Sequence, residues 1–313
     1  MFRKFTPILT SLTKFSNKHS FFSNKHSFFS NKHSFFSNKH SFFSNKHSFF
    51  SNKFIFNLDK RKKFVVTAFV LALGFLAVQL LGFSGYYLAI VILALLTYLL
   101  SAWSLSESLN GVEWLTVLIL PFLFTLGVGF FYFLTPTSWL ARAPMIILYG
   151  IGLYGLLLTE NIFSVAAIRT IQLLRSAHAV AFLLTLVTSF FLYNVILSFR
   201  LDPWFNFLLV FTASFPLLLQ GLWCINLEEK ITKKIWSYTL ALSFILGEIA
   251  LAFSFWPVSV AVGSLSLTTS LYILLGLSQH QISERLFRRT INEYIGVGVA
   301  VLIVIFLTTH WGG

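Results

Sequence analysis

The residue whose setting most calls for chemistry is Glu248, inside the apolar run 235–255, IWSYTLALSFILGEIALAFSF. It stands 13 residues past Ile235, about 20 Å along a helix at 1.5 Å per residue. Its own run holds no basic residue. A charged carboxylate in hydrocarbon costs several kcal/mol, so such a group gives up its charge or faces water or a polar neighbour. The chemistry open to it is proton or cation coupling beside a polar pathway between the seventh and eighth apolar runs. The structural alternative is a packing carboxyl bonded to a Ser or a carbonyl. Ser237, Ala241 and Ala252 fall on its helical face, and Ser259, Gly263, Ser266 and Ser270 form a stripe at i, i+4, i+7, i+11 in the next run. Stripes of this kind permit close helix approach and interhelical hydrogen bonds.

A second group lies in the polar stretch between the fourth and fifth runs: Glu160, Arg169, Arg175 and His178. On one continuous helix Glu160, Arg175 and His178 would share a face, and a bend near Arg169 would instead return Arg175 or His178 towards Glu160. An acid, two arginines and a histidine at a membrane boundary suit a lipid phosphate or headgroup. The topological alternative is that both arginines are anchors snorkelling to water. Gln79, Asn194, Asn206 and Gln220 are single amides in separate runs, expected to make interhelical bonds.

Recognisable catalytic patterns are missing from the sequence. There is no HExxH pair, no Walker-type glycine loop and no GxSxG elbow. Cys224, a His and an Arg resemble the set used by exosortase-type membrane transpeptidases, but here they stand in no such motif. One cysteine excludes an internal disulfide and a Cys-based metal cage. The sequence therefore assigns no catalytic residue, metal site or cofactor.

The elements that must position these groups are membrane spans. Hydrophobic residues make up 57% of the 313 positions and charged ones 11%, which excludes an ordinary soluble fold. Nine apolar runs, 64–83, 86–105, 114–135, 144–164, 178–199, 205–225, 235–255, 258–277 and 295–310, are each about one bilayer crossing long. Pro121 and Pro216 lie inside the third and sixth, matched positions of the kind a 3+3 repeat gives. The predicted fold is an all-α transmembrane bundle, residues 64–313, with a cytoplasmic N-terminus. Outside the tail, alternate connections hold eight Lys or Arg on one side and two, Arg142 and Arg200, on the other, as the positive-inside rule requires. The connection 278–294 reads as an amphipathic segment, and the loop 106–113 has no positive charge.

Residues 1–63 differ in kind. They carry 13 Lys or Arg against one acid, and SNKHSFF recurs five times without change from Ser16. Adjacent phenylalanines fit no coiled-coil seam, and an odd period swaps faces at each repeat of a strand. The reading is a disordered basic tail, with no cleaved signal peptide. It is either a lysine-rich arm drawn to anionic lipid headgroups or a recent duplication without a role. The partners expected are the lipid bilayer and those headgroups; nothing points to nucleic acid.

The run TENIFSVAAIRTIQLLRSAH, 159–178, resembles a family of uncharacterised polytopic bacterial membrane proteins, and the resemblance extends over about 60–311. It implies an inner-membrane location and no activity. The functional expectation is a non-enzymatic scaffold or accessory subunit. The alternatives are a transporter or channel built around Glu248, or a lipid-handling enzyme at the inner hairpin formed by the fourth and fifth runs and their connection, Glu160 to His178.

Overall fold

The computed structural model describes residues 59–309, apart from 82–84, 110, 136–138, 168–171 and 229. The repeat tail and Arg169 lie outside the described residues. Lipid offers no hydrogen-bond partners, so each long apolar run must satisfy its backbone internally, which a helix does. Among the described residues the chain forms α1 (Lys60–Leu81), α2 (Tyr86–Leu105), α3 (Glu113–Leu134), α4 (Trp139–Ala166), α5 (Leu174–Ser198), α6 (Pro203–Asn226), α7 (Lys233–Ser254), α8 (Val260–Ile282) and α9 (Arg288–Thr308). All nine are long and apolar enough to cross a membrane, and the protein is an integral membrane protein.

Turns between spans rest on local chemistry. Pro203 occupies the first turn of α6, where its missing N–H costs nothing. At the other end Leu227 takes a left-handed conformation, φ 50°, and its N–H donates to Trp223 O at 3.1 Å. The Trp223 indole N–H donates to Glu228 O at 3.0 Å, pinning the turn into α7. The connection 278–294 is not one amphipathic segment. Helix α8 runs on to Ile282, Glu284 turns the chain at φ 55°, and α9 starts at Arg288, so the ninth span is full length.

Contacts between segments far apart in the chain fix an up-and-down threading. Lys63 Nζ lies 2.5 Å from Glu107 Oε1, joining the start of α1 to the end of α2. At the opposite face the Trp256 indole N–H donates to Thr309 Oγ1 at 2.9 Å, joining the α7–α8 turn to the end of α9. Helices α3, α5 and α6 form the middle of the bundle and α9 packs on α8 at its edge. Close approach between α3 and α4 depends on Gly152, since a Cβ there would stand 2.6 Å from the Phe124 ring.

Polar side chains act as interhelical links. Thr125 Oγ1 lies 3.1 Å from both Thr97 Oγ1 and Tyr149 Oη, tying α3 to α2 and α4. Tyr193 and Ser214 pair at 2.7 Å between α5 and α6. Three of the four lone amides bridge helices: Asn194 donates to Ser264, Asn206 to Ser254, and Gln220 to Glu160. Gln79 is buried with neither of its side-chain polar atoms bonded.

Candidate functional site

Glu160, in the second-to-last turn of α4, is fully buried. One carboxyl oxygen accepts the side-chain N–H of Gln220 from α6. The other oxygen, and the Gln220 side-chain oxygen, are buried without a partner. Ser164 donates back to the Glu160 main-chain oxygen at 3.0 Å, the usual way a helix absorbs a buried hydroxyl. Around this pair the last turns of α6 are stitched to two further helices. His178 Nε2 of α5 lies 2.7 Å from Cys224 O. A carbonyl oxygen only accepts, so Nε2 carries the proton. Gln279 of α8 donates to Gly221 O at 2.7 Å. The Cys224 thiol is buried and donates to Gly221 O at 3.2 Å, so it is a packing group held on its own helix rather than presented to His178. A cavity of about 10 Å³ among Thr185, Gln220 and Gln279 has room for a single water.

The hairpin residues therefore separate. Helix α4 ends at Ala166 and α5 begins at Leu174, so Glu160 and Arg175 do not share a continuous helical face. Glu160 turns into the bundle, and His178 reaches the same buried layer with its ring 5.3 Å from that of Phe163. Arg175 is exposed. It lines a cavity of about 430 Å³ at the basic end of the bundle, together with His178, Asn226, Ser283 and Arg285. Among the described residues neither Arg175 nor Arg285 has an acid within salt-bridge distance.

Glu248 is exposed on α7. The face that α7 buries carries Thr239, Leu242, Ser243, Leu246, Gly247 and Ala250, because Phe207 of α6 presses on Gly247 and turns the neighbouring position outward. Glu248 is thus exposed at the surface of the bundle rather than enclosed in it. Ser237, Ala241 and Ala252 are exposed with it. Among the described residues Glu248 has no hydrogen-bond or ion-pair partner.

The small-residue stripe of α8 divides by role. Ser259 is the helix N-cap and accepts from Val262 N at 3.4 Å. Ser266 is buried and donates to Val262 O at 2.6 Å, and Ser270 donates to Ser266 O at 2.9 Å. Gly263 lies against Leu197 of α5. Ser259 and Gly263 also line a cavity of about 420 Å³ with Arg200, Asn206 and Ser254, at the end of the bundle opposite the basic one.

Sequence reasoning missed Arg285, Asn226 and Ser283 as neighbours of Arg175, and Gln220 as the partner of Glu160. The basic ends of the fifth, sixth and eighth runs could have signalled the first group, since up-and-down threading brings them to one membrane face. No spacing signals the second, because residues 60 positions apart meet only through packing. No group of three or more metal-ligating side chains occurs among the described residues.

A family model described as "Protein of unknown function (DUF5656)" matches residues 65–308. No curated protein and no solved structure matches the chain.

Proposed function

The chain belongs to the DUF5656 family of proteins of unknown function, and from that premise we propose that it is a non-enzymatic accessory subunit of a bacterial cytoplasmic membrane. In this reading its basic tail lies on the cytoplasmic side and its α7 face receives a helix of another membrane protein. The observation that carries this is Glu248: a carboxyl set outward, without a partner, on an exposed face of α7 whose large side chains are Trp236, Leu240, Phe244 and Ile245. Counting from Ser254, it lies about 9 Å inside the far end of α7 at 1.5 Å per residue. Lipid cannot satisfy it there. A partner helix with a basic or amide side chain at that depth removes the cost, and the small neighbours Ala241 and Ala252 let its backbone come close. A second copy of this chain suits the face less well, since two-fold pairing sets the same carboxyl against itself.

The test is photo-crosslinking in native membranes from Ala241 and Ala252. The reading holds if one identified membrane protein is captured through a helix carrying a basic or amide residue at that depth. The adduct must also persist in Glu248→Gln and vanish in Glu248→Leu. Self-adducts or lipid adducts alone overturn it.

A further inference from the structure

We infer that the cavity between Arg175 and Arg285 is a binding site for a phosphate group, taken from a phospholipid headgroup or from a free phosphate ester. Three independent chain segments converge on it. Arg175 and His178 come from the first turns of α5, Asn226 is the last residue of α6, and Ser283 and Arg285 come from the turn that follows α8. The sequence scatters these groups between positions 175 and 285, and the threading gathers them at one rim.

The chemistry of the rim is one-sided. Two arginines line it, and a guanidinium is a planar fork of donors that matches two phosphate oxygens. Among the described residues neither is neutralised by an acid. Glu228, on α6's exit, accepts from Asn226 at 3.3 Å and from Thr232 and does not line the cavity. Glu284 precedes Arg285 in the chain but does not line the cavity. His178 spends Nε2 on Cys224 O, and that bond also holds the α5 end of the rim to the α6 end. Ser283 adds a hydroxyl. Arginines that served only as topological anchors would have no reason to share a concave site with a fixed histidine.

The shape adds a second argument. A volume of about 430 Å³ falls within the range of small-molecule sites. Leu174 and Ile225 supply apolar wall beneath the polar rim, as a headgroup with its glycerol requires. The site sits at the end of the bundle where the described residues also place Lys63, Lys230, Lys233 and Lys234, and such a basic end attracts anionic lipid.

The test titrates the purified full-length chain in zwitterionic detergent with phosphatidylglycerol and, separately, with inorganic phosphate, following thermal stability. The same titrations are run on Arg175→Ala/Arg285→Ala, on Arg175→Lys/Arg285→Lys and on Arg200→Ala at the opposite face. The basic tail is present in every protein, so its own lipid binding cancels. The inference predicts saturable stabilisation of the wild type whose affinity falls about ten-fold per arginine lost, as expected for charge-assisted bonds to phosphate. Partial retention is expected in the lysine pair and none of the loss in Arg200→Ala. Saturation with the lipid alone identifies a headgroup site, and saturation with inorganic phosphate identifies a free phosphate site. No saturation with either probe, or equal saturation in the alanine pair and the wild type, overturns the inference.

Discussion

Lys63 Nζ lies 2.5 Å from Glu107 Oε1, with Lys60 3.6 Å from the other oxygen of the same carboxyl. The start of the first span and the end of the second are therefore on one membrane face. The loop 106–113, which has no positive charge of its own, borrows two from α1.

The later spans are joined by short connections, so each reverses direction in turn. The two ends of α6 are the most direct reporters, through single cysteines at Lys230→Cys and Asp202→Cys in a Cys224→Ser background. In sealed right-side-out vesicles, a membrane-impermeant maleimide should label Asp202→Cys and spare Lys230→Cys until the vesicles are opened. Labelling of both before opening would contradict the threading of α6.

The same contact makes stability depend on pH. The hydrogen bond from Lys63 is the main cause that holds the Glu107 carboxyl below its ordinary value, and Lys60 adds to it. A depressed acid contributes stability that is fully present above its unfolded value and lost as pH falls through the folded one. Half of the Glu107 side chain is exposed, so the effect is small, within about 1 kcal/mol and screened by salt. Melting curves at low ionic strength should show Glu107→Gln below the wild type at neutral pH. That gap should close as pH falls below the ordinary carboxylate range, and a gap unchanged in strong acid would refute the assignment.

The Glu160–Gln220 pair should behave as one unit. Gln220→Leu leaves a buried carboxyl without its donor, and Glu160→Leu leaves a buried amide without its acceptor, each costing about 1–3 kcal/mol. Replacing both with leucine removes the need for either partner, so the double variant should unfold closer to the wild type than the sum of the singles. Additive losses in detergent-solubilised protein would show that the two side chains do not depend on each other.

Much of the molecule was legible in the order of its residues. Apolar runs one bilayer long dictate helices, because a backbone in lipid must bond to itself. The alternation of Lys and Arg between successive connections then sets which ends lie together, since charge crosses hydrocarbon only at high cost. Composition also identified Glu248, Glu160 and the hairpin arginines as the groups with most to explain.

What each of those groups faces was decided by tertiary structure alone. Rotation of a helix about its axis is fixed by side-chain packing, not by hydropathy, when every face is apolar. Phe207 against Gly247 turns Glu248 outward, whereas the packing of α4 on its neighbours turns Glu160 inward to Gln220. Periodicity places residues on a face, but only the neighbouring helices determine whether that face meets lipid, a cavity or another side chain.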